Sequence, residues 1–172
     1  MTSETLKLYK LIILYFLNET RQPMSNAIIS DFILGNGYTD YFSIQETLTG
    51  LIEDKNIEAE QTHSTSYYTI TDIGKETLEY FGTQLSDSIK EQIDDYLIKN
   101  RVAIAQSTNI HTDFTHIGNG EYIAKCSVME RGNLLYEVSI NVPSEAEAIR
   151  VCETLKAKNE EIYTFLIKEI SQ

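Results

Sequence analysis

The sequence is short of bases. Its 14 Lys and Arg face 26 Asp and Glu, for a net charge of −12. That imbalance favours solubility and by itself opposes approach to nucleic acid or an anionic membrane. Cysteine is scarce too. Cys126 and Cys152 form no C-x-x-C pair, which argues against a metal knuckle or a thioredoxin-type redox pair. Two reduced, buried small hydrophobes are expected instead. Long apolar runs are missing. The longest, Leu11 to Leu17, holds seven residues, far short of the ~20 needed to span a bilayer. Lys7 and Lys10 precede it as in a secretory leader, but no small-residue cleavage site follows and Glu4 interrupts the basic region. A cytoplasmic protein without membrane association is expected.

Signatures of catalysis are also missing. The chain has no nucleophile elbow, no Gly-rich phosphate loop and no H-E-x-x-H. Carboxylates such as Glu145, Glu160 and Glu161 sit at expected helix starts, where the helix dipole accounts for them. Of three histidines, His111 shares a strand face with Asp113 at i and i+2, while His116 faces the opposite side. A metal site needs three or four convergent ligands, so exposed strand residues are expected here. Neither an enzyme nor a cofactor is expected.

What is present begins with length and apolar content. At 172 residues and 42% hydrophobic, the chain can hold one domain or two small ones, each with a core. Residues 4–18 read as a helix. Leu6, Tyr9, Ile13 and Phe16 form a stripe, yet Leu8, Leu11, Ile12, Tyr15 and Leu17 carry apolar surface round most of it. Such a helix is buried on more than one side, so a second domain or second subunit is expected against it, and a homodimer with it. After a polar connection to Pro23, Ser25 can cap a helix carrying Ile28, Ile29, Phe32 and Ile33. Gly35-Asn36-Gly37 ends it. Thr39 or Asp40 then caps a helix with Tyr41, Ile44, Leu48, Leu51 and Ile52 inside.

Residues 57–81 are the most telling stretch. Ile57 and Ala59 alternate with Glu58 and Glu60, and Tyr68 and Ile70 alternate with Tyr67 and Thr69, around the polar tip T-H-S-T. Period two with a turn-forming tip predicts a hairpin. Thr71 then caps a helix with Ile73, Thr77, Leu78 and Phe81 on one face, ended by Gly82. Helix, short turn, helix, hairpin is the order of a winged helix-turn-helix, the second of the paired helices being the reader. The runs I-Q-E-T-L-T-G-L-I and Y-Y-T-I-T-D-I-G-K-E-T-L-E-Y-F resemble the Y-x-I-T-x-x-G-x-x-x-L ending of PadR-like winged-helix regulators. Over its whole length the chain is similar to an uncharacterised bacterial family in which a winged helix precedes a small α/β region. Members are usually labelled transcriptional regulators. The resemblance implies a winged-helix fold and a regulatory role.

Residues 84–100 form a further helix, with Ser86 as cap and Leu85, Ile89, Ile93, Tyr96 and Leu97 on one face. From residue 102 the period changes. Ile110 and Phe114 alternate with polar residues, as do Tyr122, Ala124, Cys126 and Val128, and then Leu134, Tyr136, Val138, Ile140 and Val142. Gly118-Asn119-Gly120 and Arg131-Gly132-Asn133 turn between them. This predicts a three-stranded antiparallel meander with one apolar face. Its cover follows. Ser144 with Glu147 makes a capping box, and Ile149, Cys152 and Leu155 make a stripe. A polar break at residues 156–159 precedes a last face of Ile162, Phe165, Leu166 and Ile170.

The predicted architecture is α+β: an N-terminal winged helix-turn-helix, then a small antiparallel three-stranded sheet covered by C-terminal helices. Residues 1–82 are the winged domain, 83–101 a linking helix, and 102–172 the small α/β domain.

Two functions follow. In the first, the protein is a transcriptional regulator, a homodimer binding DNA. Ser43, Gln45, Glu46, Thr47 and Thr49 face outward from the reading helix, and Gln, Glu and Thr can each read base edges. Lys10, Arg21, Lys55 and Lys75 meet phosphates, and His63 sits at the wing tip. The α/β region dimerises or senses a small-molecule effector. In the second, the winged helix is an acidic protein-interaction module without affinity for duplex DNA. Residues 1–82 hold five bases against twelve acids, and phosphate contacts normally supply much of the affinity.

Overall fold

The computed structural model describes residues 2–171. These residues form an α+β protein with eight α-helices and two antiparallel three-stranded sheets. The order is α1 (Ser3–Thr20), β1 (Met24–Ser25), α2 (Asn26–Gly35), α3 (Tyr41–Glu53), β2 (Ile57–Gln61), β3 (Ser66–Ile70) and α4 (Asp72–Phe81). A 3-10 turn, Gly82–Gln84, leads to α5 (Asp87–Lys99) and α6 (Arg101–Asn109). Then come β4 (Ile110–Gly118), β5 (Glu121–Glu130), β6 (Asn133–Val142), α7 (Glu145–Ala157) and α8 (Asn159–Ile170). Among the described residues no helix is long and apolar enough to cross a membrane. The chain divides into two compact units, Met1–Gln61 with Thr65–Ile104, and Thr62–Ser64 with Ala105–Gln172.

Side-chain caps start most of these helices. Thr2, Ser25, Asp40, Thr71, Ser86 and Ser144 each accept a hydrogen bond from a backbone N–H in the first turn that follows. This satisfies a donor that the helix cannot pair internally. At Asp40 the Ser43 N–H donates to Oδ1 at 3.0 Å and the Ser43 hydroxyl to Oδ2 at 3.1 Å. Those two bonds hold the Asp40 carboxyl below its ordinary value. A depressed carboxyl stabilises the fold above its unfolded pKa of about 4 and loses that contribution as pH falls through the folded value. Asp40→Asn keeps an acceptor at the cap. The variant is therefore expected to lose less stability than wild type below about pH 4. Urea midpoints across the acid range check this, and parallel acid limbs would contradict it.

Helix α1 is the centre of the first unit. Leu11, Ile12, Ile13, Leu14, Phe16 and Leu17 are all buried, and α3, α4, α5 and β3 of the same unit pack around them. The all-round apolar surface is thus consumed within one chain. The argument from this helix to a second subunit does not hold, because α5 covers the face assigned to a partner. Ile93 of α5 and Leu85 before it lie in the same core. Phe16, Phe32, Tyr38 and Tyr96 pack as tilted and edge-on rings, and the Tyr96 hydroxyl donates to Asp31 at 2.8 Å.

The first sheet has the order β1-β3-β2. The two-residue β1, not anticipated from sequence, pairs Met24 with Tyr68 and Ser25 with Tyr67. With β3 central, Tyr67 and Tyr68 are both buried instead of alternating. Ala59, expected inside, is exposed on the edge strand β2.

In the second unit the strand order is β4-β5-β6. Both hairpins turn through two consecutive left-handed residues, Asn119 and Gly120 (φ 53° and 77°) and Arg131 and Gly132 (φ 52° and 80°). That is the backbone of a type I′ turn, whose twist suits the flanking strands. Ala124, Cys126 and Val128 face the covering helix α7. The buried stripe of α7 is Ala148, Cys152 and Leu155, with Ile149 turned outward at 39% exposure. Both cysteines are free and buried. Burial pushes the Cys126 thiol up to about 11 and raises that of Cys152, so neither is a ready nucleophile. Residues 101–109, expected to lie partly in the sheet region, form helix α6 instead. No turn residue separates them from α5 except Asn100, and Ala103 and Ala105 favour helix.

Candidate functional site

The reading helix proposed from sequence is α3, so its solvent face is the place to look for contact chemistry. Ile44, Thr47, Leu48 and Leu51 point into the core. At 3.6 residues per turn this leaves Phe42, Glu46, Thr49 and Glu53 along the opposite face, and all four are exposed. Thr47 was expected outward and is 0% exposed. It lies three residues after Ile44 and four before Leu51, within the buried stripe, and its hydroxyl donates to the Ser43 carbonyl at 2.7 Å. Tyr41 and Ile52, expected inside, are 48% and 40% exposed because they fall at the edges of that stripe.

Phe42 went unnominated, although it is 83% exposed and its ring lies 6.2 Å from that of Tyr41. The available signal was an aromatic outside the apolar stripe of its own helix. Gln45 is half-buried and engaged, its amide donating to Asn26 Oδ1 of α2 at 3.1 Å. Ser43 is half-buried and bonded to Asp40. Glu46 and Thr49 are exposed.

The bases are dispersed. Lys10 Nζ is 2.6 Å from Asp54 Oδ2, and Lys75 Nζ is 3.0 Å from Asp72 Oδ1. Arg21 and Lys55 make no ion pair among the described residues. Both are exposed and left-handed, with φ of 52° and 57°, one after the end of α1 and the other just past α3. His63 belongs to the second compact unit. Its N–H donates to Asp113 Oδ1 at 3.0 Å, its Nδ1 lies 3.0 Å from the same oxygen, and its ring is 4.5 Å from that of Phe114. Asp113 thus partners His63 and not His111.

Beside α3, an open cleft of about 810 Å³ is lined by the end of α3, the start of β2, the end of β3 and the start of α4. Ile52, Ile57, Ile70 and Ile73 supply apolar wall, and Glu58 and Asp72 are acidic lining residues beside Lys55. Among its lining residues, Thr71 joins the hairpin to α4. Its N–H donates to the Asn56 carbonyl at 3.0 Å, its hydroxyl donates to the Lys55 carbonyl at 2.7 Å, and its oxygen caps α4 by accepting from the Gly74 N–H.

A model of the family described as "Domain of unknown function (DUF4364)" matches residues 9–170. No curated protein and no solved structure matches the chain.

Proposed function

The chain belongs to the DUF4364 family, and we propose that its first unit is a winged helix-turn-helix module that binds a basic protein segment rather than duplex DNA. One observation carries this reading. The solvent face of α3 presents Phe42, Glu46, Thr49 and Glu53, two carboxylates and an aromatic with no base among them. Affinity for DNA draws on Lys and Arg neutralising phosphates. Here two of the four candidate bases are held by Asp54 and Asp72. Carboxylates steer a cationic partner, an exposed aromatic is a suitable anchor, and the isoleucine-lined cleft at the start of the edge strand β2 offers a site to an extended chain.

The second reading is the DNA-binding transcriptional regulator. The order α2, turn, α3, hairpin favours it, together with the unpaired Arg21 and Lys55 at the ends of α1 and α3. The two readings separate in one set of measurements. The interaction reading expects no retention of the protein's own promoter DNA at low salt, and a co-purifying partner released by Phe42→Ala and by Glu46→Lys. Salt-sensitive DNA retention that weakens on Lys55→Ala would instead establish the regulator and remove the first reading.

A further inference from the structure

We infer that the second unit carries a self-association surface, the free edge of β6, which pairs antiparallel with β6 of a second copy to make a continuous six-stranded sheet. The inference is independent of the reading given to the first unit.

The edge itself makes the argument. Strand β6 pairs with β5 on one side, and among the described residues no strand lies on the other. Free edges present unpaired N–H and C=O groups, which proteins blunt with lysine, proline, short length or bulges. Over Tyr136–Val142, Y-E-V-S-I-N-V, the strand has no Lys, Arg or Pro, and one charge, Glu137. That carboxylate is already committed on its own sheet, to Lys125 at 3.2 Å and to the Ser127 hydroxyl at 2.8 Å. The opposite edge, β4, also lacks Lys, Arg and Pro and also has a register shift, but its one carboxylate, Asp113, is engaged by the His63 N–H of the same unit.

The register selects a second copy as the occupant. The β5–β6 pairing is regular from Tyr122↔Val142 to Val128↔Tyr136, and slips one residue beyond, which leaves Leu135 unpaired. The regular edge is therefore residues 136–142, and its midpoint is Ser139. A two-fold axis there places Ser139 opposite Ser139 of the second copy. Val138 then meets Ile140, Tyr136 meets Val142, and Glu137 meets Asn141. β-Branched pairs and hydroxyl pairs stabilise neighbouring strands, whereas like charges directly opposed do not. The registers centred on Ser139 and Val138 both avoid a Glu137–Glu137 contact, but only the one on Ser139 uses the whole regular edge. Isologous pairing of this kind closes and leaves no further edge of β6 to propagate. It also accounts for exposure that one copy leaves open. Ile140 is 40% exposed on the face where Tyr136 and Val138 pack against the buried Cys126, Val128 and Leu155.

The test uses Ser139, which is exposed and polar; because it lies opposite Lys125 of β5, circular dichroism melts of each variant accompany the test to establish that the fold is kept. Wild-type protein at micromolar concentration is expected to scatter light as a species of twice 19.6 kDa. Ser139→Lys, which opposes two ammonium groups at the axis, is expected to weaken the dimer at least tenfold. Ser139→Cys is expected to give a disulfide-linked dimer on mild oxidation, the two native thiols being buried. Thr115→Cys, exposed on β4, is expected to remain monomeric on the same non-reducing gel. Phe42→Ala is expected to leave the dimer unchanged. A monomer in the wild type overturns the inference, and so does a dimer that persists in Ser139→Lys without Ser139→Cys cross-linking.

Discussion

Phe32→Ala is expected to destabilise the first unit by about 3–5 kcal/mol, the range for deleting a large buried aromatic side chain. Phe32 is 1% exposed. Its ring lies 5.3 Å from that of Phe16 on α1, 5.2 Å from that of Tyr96 on α5 and 5.9 Å from that of Tyr38. One side chain on α2 therefore joins α1 and α5. The alanine leaves a cavity that three rings from separate segments cannot collapse to fill. At roughly 2–4 °C per kcal/mol for a chain of this size, the thermal midpoint should fall by about 6–20 °C. Phe32→Leu retains most of the volume and should lose about 1.5 kcal/mol or less. Circular dichroism melts of both variants test this. Two substitutions with equal, small effects would mean that the ring cluster does not hold these helices together.

Gly74→Ala should be nearly as damaging, through crowding instead of a cavity. A Cβ at residue 74 would stand 2.1 Å from the Asn56 carbonyl oxygen and 2.8 Å from Ile70 Cγ1. That oxygen cannot retreat cheaply, because it is a backbone atom and accepts the Thr71 N–H at 3.0 Å. The start of α4 must shift, with loss of the cap and strain in the hairpin, at about 2–3 kcal/mol or more. Gly50→Ala is the matched control. There the added methyl meets only Lys10 Nζ and Cε, at 3.1 and 3.2 Å, the flexible end of a long side chain. Removing a helix-interior glycine gains up to about 1 kcal/mol, so Gly50→Ala should be neutral or stabilising in urea titrations. If both glycines tolerate alanine equally, the close approach at Asn56 is not limiting.

Gly74 also explains why the run I-T-D-I-G was informative. Thr71 supplies the cap and Gly74 the absent side chain that lets α4 start against the end of α3. Both are demands of a junction, and they say nothing about a ligand. The same applies to the other caps, to the two-residue turns at Asn119 and Arg131, and to the polar break before α8. Each depends on a few neighbouring residues, so the sequence displays it directly.

The candidate site was less legible, because it depends on where a helix meets its neighbours. The α3 stripe was visible from Ile44, Leu48 and Leu51, but its width was not. Thr47, three residues after Ile44 and four before Leu51, falls inside that stripe, and packing against α1 and α2 leaves Tyr41 and Ile52 at its margin. The same spacing places Phe42 in the middle of the exposed face. Lys10 was a free base in the sequence and an ion pair with Asp54, 44 residues away, in the fold. His63 likewise found Asp113, 50 residues on.

By itself, then, the sequence determined the acid excess, the side-chain caps that start α2, α3, α4, α5 and α7, both turns of the second sheet and the alternation of its strands. These are local, set by backbone preference and by side chains within a turn of one another. Tertiary structure decided that α3, α4, α5 and β3 pack around α1 inside its own unit, that Lys10 and Lys75 are held in ion pairs, and that β6 keeps a free edge. Those outcomes depend on which surfaces remain uncovered after distant segments have packed, and no local pattern of residues carries that information.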